Sequence, residues 1–559
     1  MHLYKRICAA FLAIIMTVLL GACNIAEVLY PNYDFTKLER VFNGERSHDR
    51  VAGLGFESME YSRPNLDELE KLAENVSSLL DDGASRKEVI AALDEFFDAY
   101  SQFNTMYTLA MIRSDIDIDD DNYAQEYAYC SESASQVDKL YDDVMLACSG
   151  SSLCDYLDAY YFGGGLEENY SAGDDGYTPD AELVRLRTQE AQLLIEYSKI
   201  DNALGAAESY EEIAGYNEDA ANIYIKLIKL RHRIAEKLGY DSYREYCYES
   251  FGRGYAPAEI EEFKKAVEQY IVPIYIKLSQ RGDLDSMYYD FNELSAADCL
   301  DIISGAAENM GGDIAQAMEL LKTEGLYCIG SSGEMHVRSY VTYISGYEVP
   351  FLFSHTNGYG DDVLTVGHEF GHFVDGYLNY GLNSDNDSSE MFSQGMEYLL
   401  PEYLDDESFA ESLRRFKMLD TVNTLVDQAS FNAFEDAVYA LPEDELTVDN
   451  INSIYARIAG EYGYASEYPA EYLPYMWISI AHLFEMPFYV ISYCVSACAA
   501  FQLYNMELNE SGSGLSAYLE LMDASAENDF ITILDNAGIP SPLSSETVKS
   551  IALTLKHLL

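Results

Sequence analysis

From Asn65 onward the apolar positions of the chain recur at intervals of three and four, beginning with "NLDELEKLAENVSSLLDDG". That is the period of an amphipathic helix. Segments of this kind follow one another to about Ile200, interrupted by the acidic "DIDIDDDN" and the glycine-rich "YFGGGLEENYSAGDDGY". The same period returns in "EDAANIYIKLIKLRHRIAEKLGY" and "APAEIEEFKKAVEQYIVPIYIKLSQ". Strand patterning is confined to "RSYVTYI" and "EVPFLFSH", both rich in β-branched and aromatic residues and joined by Ser345, Gly346 and Tyr347. Helical periods resume at Asp361 and run to the end. The pattern therefore predicts a mainly α protein with a small sheet, without internal repeats.

At 559 residues, 48% of them hydrophobic, the chain has ample material for a packed interior. The net charge of −62 disfavours a nucleic-acid or anionic-lipid partner. It reads as a solvated surface on an exported protein, with steering of cationic peptides as the second reading. "DIDIDDDN" lacks the glycine and terminal glutamate of a calcium loop at their required offsets and is expected to be a solvated loop.

The first residues, "MHLYKRICAAFLAIIMTVLLGAC", carry a short basic region, an apolar core from Ile7 to Leu20 and small residues before Cys23. "LGAC" resembles a lipobox. The expectation is a lipoprotein signal over residues 1–22 and a lipid anchor on Cys23, with a plain secretory signal as the alternative. Residues 23–60 then form a tether, and the mature protein sits at a bacterial cell surface or in a periplasm, held to the membrane by the anchor only. Eight further cysteines show no disulfide framework and are expected to be mostly free thiols, with Cys148 and Cys154 the only local pair.

"TVGHEFGHFVDGYL" holds the chemistry. In a helix, His368 and His372 lie one turn apart on one face, so two imidazoles can share one tetrahedral zinc. Glu369 lies about 100° round from His368 and can reach a zinc-activated water without being forced to ligate. Asp361 and Asp362 can cap this helix, and Phe370, Phe373, Val374 and Leu378 would bury it. A catalytic zinc needs a third protein ligand. "SSEMFSQGMEYLL" offers Glu390 in the first turn of a helix capped by Ser388 or Ser389. Glu397, seven residues on, falls on the same face and could orient a histidine. The two glutamates could exchange these roles; Glu390 is preferred as ligand. Asp385 and Asp387 are taken as solvated loop charges, and Trp477, the only tryptophan, as a packing anchor.

These residues resemble the thimet oligopeptidase and oligoendopeptidase F zinc peptidases. "DDVLTVGHEFGH", "EMFSQGMEYLL" and "WISIAHLFEMPFYVISY" carry the likeness, supported by "KLRHRIAEKLGYDSYREY" and the closing "YLELMDASAENDFITILDNAGI". It covers residues 205–559 as a catalytic domain and, more loosely, the N-terminal helical region 61–204. The resemblance implies a two-lobed, helical zincin-type body with a deep substrate channel, one zinc ion, and endopeptidase action on short unfolded oligopeptides. It also implies that Glu369 is the general base and that His482, Tyr489 and Tyr493 stabilise the oxyanion and hold the substrate backbone. Tyr489 and Tyr493 stand four apart, so both phenols can face one cleft.

Two departures from the family pattern stand out: only 17 residues separate His372 from Glu390, and His355 replaces the customary asparagine. "EVPFLFSH" is expected either to accept substrate backbone by edge addition or to form an internal hairpin. Two alternatives remain: a carboxydipeptidase of the angiotensin-converting type, and a non-catalytic peptide-binding lipoprotein. The first needs a basic residue near the metal, and the stretch from His482 to Tyr493 has none. The second is weakened by the intact Glu369.

Overall fold

Leu69, Ala73 and Val76 form one buried stripe of helix α1 (Leu66–Asp81), the spacing that its sequence period predicts. It packs against α2 (Arg86–Ile116) and α3 (Asp121–Ser149), whose N-cap Asp120 accepts the amides of Asn122 and Tyr123. In this computed structural model the described residues are 53–162, 166, 170, 181–205, 207, 209–381, 385–466, 468–526 and 528–559. The expected signal and the Cys23 anchor lie outside them. Of the expected tether only residues 53–60 are described. They lie against the body: the Gly53 and Gly55 amides donate to the Glu324 carboxylate, and Phe56 and Met59 are buried. No helix among the described residues is long and apolar enough to cross a membrane.

Among the described residues the buried apolar side chains form two clusters. The smaller draws on α1, α2 and α3 together with Leu157, Tyr161 and Leu166. The larger takes in the far end of α2, from Met106 to Ile112, and extends to Leu555 near the C-terminus. Helices α4 (Ala181–Gly205) and α5 (Asn217–Leu238) pack on each other within it. Trp477 is buried there, its ring nitrogen donating to Asn452 Oδ1 at 2.9 Å, as expected of a packing anchor. Cys130, Cys148, Cys154, Cys247, Cys299, Cys328, Cys494 and Cys498 are all free thiols.

Among the described residues the sheet has three strands, β1 (Tyr327–Gly330), β2 (Ser339–Ile344) and β3 (Val349–His355), in the order β1-β3-β2. β2 and β3 form the expected hairpin, antiparallel, with Tyr340 opposite Phe353. β1 was not expected and pairs parallel with β3, Cys328 opposite Phe353. β3 is therefore central, paired with β2 from Val349 to Ser354 and with β1 from Leu352 to His355. From Leu352 to Ser354 it has a strand on both sides and no free edge for a peptide. The fold is mainly α with a small sheet, as the sequence predicts.

Four helices frame the site: α6 (Asp362–Asn379), α7 (Asn386–Leu399), α8 (Glu407–Tyr439) and α9 (Ile491–Asn509). α6 lies on β2 and β3, and α7 is clasped between α6 and α9.

Candidate metal centre

α6 leaves the sheet through a loop gathered by one carboxylate. Asp362 Oδ1 accepts the Asn357 amide at 2.9 Å, and Oδ2 accepts those of Gly358 and Tyr359 at 2.7 and 3.0 Å. Asp361 is the N-cap but makes no side-chain capping bond. The expectation that both aspartates cap the helix is thus corrected: Asp362 satisfies amides upstream of it.

Gly371 sets how near α7 can come. A Cβ on it would stand 2.7 Å from both Phe392 O and Ser393 Cα and 3.1 Å from Met396 Cβ. The two backbones touch at this point, one residue from His372 and three from Glu390. α7 begins one turn earlier than expected. Its N-cap is Asp385, which accepts from the amides of Asp387 and Ser388 and from Ser388 Oγ, rather than Ser388 or Ser389 themselves. Asp385 and Asp387 are buried, not solvated, and Asp385 also accepts the Phe530 amide at the start of the distant helix Phe530–Asn536.

His368, His372 and Glu390 each offer a ligand atom, all lying within 4.8 Å of one another. Glu390 Oε2 stands 3.5 Å from His368 Nε2 and 3.9 Å from His372 Nε2. The opposite ring nitrogens are both held from outside. Glu397 Oε1 lies 2.8 Å from His368 Nδ1, and Ser389 Oγ 3.1 Å from His372 Nδ1. Glu397 is itself held by Lys417 of α8, whose Nζ donates to Oε2 at 2.7 Å and to Asp420 at 2.9 Å. Such outer contacts fix ring orientation and tautomer. The other oxygen of Glu390, Oε1, accepts from the Tyr489 hydroxyl at 2.9 Å, and Ser393 Oγ lies 3.2 Å from Oε2.

These residues fit a divalent cation. His368 Nε2 is buried and makes no hydrogen bond, and it faces Glu390 across a gap too wide for one. Burial acts to lower the His368 pKa, but the hydrogen bond and charge of Glu397, with Glu369 and Glu390, carry it up to about 9. The surrounding carboxylates therefore favour positive charge at this ring. Burial, with the charge of His368 adding, holds His372 well below its ordinary range, which leaves the ring neutral. Burial also raises Glu390, while its partners His368, Tyr489 and Ser393 oppose the rise. For Glu397, Lys417 and His368 overcome burial and hold the carboxylate below its usual range. Two nitrogens and one carboxylate are the donor set of a catalytic zinc.

Glu369 is fully buried, and neither carboxylate oxygen has a hydrogen-bond partner. Burial pushes it up to about 8, with His368 opposing and Glu390 and Glu397 adding. A bound dication would act in the opposite sense. His482, on the short helix Ala481–Glu485, is buried with Nε2 unpartnered, and burial lowers its pKa to about 3, so the ring is neutral. Its ring centroid lies 5.9 Å from that of Tyr489 and 6.0 Å from that of Tyr493. Tyr493 feels the charges of Glu390 and Glu369, and its ring lies 5.3 Å from Tyr489. Gln394 of α7 ties α9 to the ligand helix by donating to Tyr493 O and Ser496 Oγ.

The structure thus brings together His368, Glu369, His372, Glu390, Glu397, His482, Tyr489 and Tyr493; Cys23 is outside the described residues. His355 ends β3 with its Nδ1 buried and unpartnered, and burial lowers its pKa. Four further residues, Ser389, Ser393, Lys417 and Arg253, were not singled out for these contacts. Arg253 donates from Nη2 to the carbonyls of Phe488 and Tyr489, so a cation does stand beside the stretch from His482 to Tyr493.

Two family patterns match the chain: Peptidase M3 N-terminal domain over residues 56–163 and Peptidase family M3 over residues 320–553. Together they take in more than half of it. Among solved structures, PZ peptidase A with an inhibitor is 22% identical, with a TM-score of 0.75 over 90% of this chain and 98% of that one. A candidate oligoendopeptidase F from Bacillus anthracis str. Ames is 19% identical, with a TM-score of 0.71 over 90% and 98%. Oligoendopeptidase-F from Enterococcus faecium is 16% identical, with a TM-score of 0.54 over 88% and 96%. At these identities the structural likeness speaks for the fold. No match was found among curated proteins.

Proposed function

Because the chain belongs to peptidase family M3 and is a metallopeptidase, we propose that it is a zinc-dependent endopeptidase of short, unfolded oligopeptides with Glu369 as general base. The observation that carries this reading is the convergence of His368, His372 and Glu390 to within 4.8 Å, with the buried, unpaired carboxylate of Glu369 beside them. His368 Nε2, His372 Nε2 and Glu390 would hold one zinc ion. When bound, zinc supplies Lewis acidity that brings the pKa of a coordinated water from about 15.7 to about 7.

Glu369 accepts the proton of the attacking water and returns it to the departing amine. The carbonyl oxygen gains negative charge as the water adds, and it needs preplaced donors. His482, neutral at physiological pH, and Tyr493 supply them. Tyr489 has a different task, because its hydroxyl already holds Glu390 Oε1. It fixes the ligand carboxylate, leaving the other oxygen to face the imidazoles. Glu397 and Lys417 hold His368, and Ser389 holds His372.

Short peptides are the substrate class that the family likeness favours, and the strongly acidic chain gives cationic ones an electrostatic advantage. Residues 1–22 read as a lipoprotein signal and Cys23 as the anchor, at a bacterial surface or in a periplasm.

The test is hydrolysis of an internally quenched peptide blocked at both termini, by wild type and Glu369→Gln, with zinc content measured on both. Wild type should cleave it. The variant should lose turnover by about 10²–10⁴-fold with zinc retained. Unchanged turnover removes Glu369 from the mechanism. Cleavage only of peptides with a free C-terminus assigns a carboxydipeptidase instead.

A further inference from the structure

The turn that delivers Tyr489 to Glu390 has an unusual backbone. Phe488 has φ 65°, in the left-handed region that bulky residues rarely occupy. Such a conformation persists only where its surroundings over-determine it. Three separate contacts do so here. The Phe488 ring is fully buried and packs edge-on against Tyr439, centroids 4.9 Å apart. Its amide donates to Glu435 Oε1 of α8 at 2.7 Å. Its carbonyl accepts from Arg253 Nη2 at 2.7 Å, and the same nitrogen reaches the Tyr489 carbonyl at 3.3 Å and Ser492 Oγ at 2.9 Å.

Arg253 comes from a loop 235 residues earlier in the chain. Its guanidinium lies over the rings of Tyr248 and Phe251, at 4.5 and 5.0 Å. Phe251 in turn packs edge-on against the Tyr489 ring at 5.5 Å. Asp387, in the first turn of α7, is buried, and Arg253 feels its negative charge. One side chain is therefore coupled both to the turn and to the helix that bears Glu390. Burial pushes Glu435 well above the usual carboxylate range, and its Oε1 accepts the Phe488 amide.

We propose that Arg253 and Glu435 are positioning residues for the metal centre. By clamping Phe488 from its carbonyl and its amide, they aim the Tyr489 hydroxyl at Glu390 Oε1 and so set the angle at which Oε2 meets the two imidazoles. This rests on the reading of His368, His372 and Glu390 as the zinc ligands. It assigns part of the zinc affinity to a loop that touches no ligand.

The test is zinc affinity, by competition with a chromophoric chelator, for Arg253→Met, Tyr489→Phe and the double variant. Melting temperatures are taken alongside, and Arg253→Lys, which keeps the charge but draws the donor back from the turn, serves where the first variant does not fold. Each single change should weaken zinc by about tenfold, the lower end for lost outer contacts. In the Tyr489→Phe background the arginine change should add less than about threefold, because both act through one hydroxyl. Glu435→Gln retains an acceptor and should stay within about threefold of wild type, where Glu435→Leu matches the arginine variant. Equal losses from the arginine change in both backgrounds would mean a general structural role and overturn the inference. So would unaltered zinc affinity in Arg253→Met or Arg253→Lys. Failure of the underlying ligand reading looks different: Glu390→Gln would then leave zinc affinity unchanged.

Discussion

Gly371 is where a single methyl group should separate the stability of the fold from the integrity of its metal site. In Gly371→Ala the new Cβ meets Phe392 O and Ser393 Cα at 2.7 Å. Both are backbone atoms of α7, so no rotamer change relieves the contact. Restoring ordinary van der Waals separation of about 3.4 Å requires the helices to part or slide by roughly 0.7 Å. Overpacking of this kind costs about 1–3 kcal/mol. Ala is the better helix former by about 1 kcal/mol, so the net loss of stability falls between about 0 and 2 kcal/mol, a melting shift of a few degrees. Zinc is less forgiving, since its bond lengths tolerate about 0.2 Å. Two of the proposed ligands sit on α6 and the third on α7. Zinc affinity should therefore fall by at least about tenfold while the apo protein remains folded. Chelator competition measures the first quantity and differential scanning calorimetry the second. Unchanged zinc affinity, with a melting temperature equal to or above wild type, would refute the reasoning.

Lys417→Met removes the donor that holds Glu397 and should weaken zinc by about 10–100-fold in the same competition assay. Tyr493→Phe should lower kcat by about 10²–10³-fold with zinc affinity unchanged; loss of zinc instead would exchange the roles given to Tyr493 and Tyr489. A pH dependence of stability follows from Asp138 on α3, whose carboxyl is raised to about 7, first by burial and then by the charge of Asp142. In the range between about 4 and 7 the folded state binds more protons here than the unfolded chain, so this group makes stability fall as pH rises. Asp138→Asn should accordingly raise the melting temperature more at pH 8 than at pH 5, and an equal shift at both would count against that assignment.

What the sequence made legible was local. The helix of His368 and His372 could be read because four-residue spacing fixes a face, and Glu390 because it stands near the start of the next periodic segment. The β2–β3 hairpin was readable from composition and its short connection. β1 was not: four half-buried residues of mixed type carry little pattern, and they become a strand only by pairing with Leu352 to His355. Asp385 and Asp387 looked solvated because an acidic, asparagine-rich run resembles a loop. Buried, they meet the Phe530 amide and the charge of Arg253, neither of them close in the chain. Ser389 showed the opposite error, a plausible cap whose hydroxyl meets His372 instead. Lys417 and Arg253 lacked any local signal, because a second contact around a ligand or a turn is a property of helix packing.

The most direct measurement is an anomalous-scattering crystal structure of the zinc-loaded protein at the zinc absorption edge. The expected result is one peak about 2.0–2.2 Å from His368 Nε2, His372 Nε2 and a Glu390 oxygen, with Glu369 outside the coordination sphere and one position open to water. Zinc bound through Glu397 or Glu369 in place of Glu390, or no peak between the two imidazoles, would contradict it.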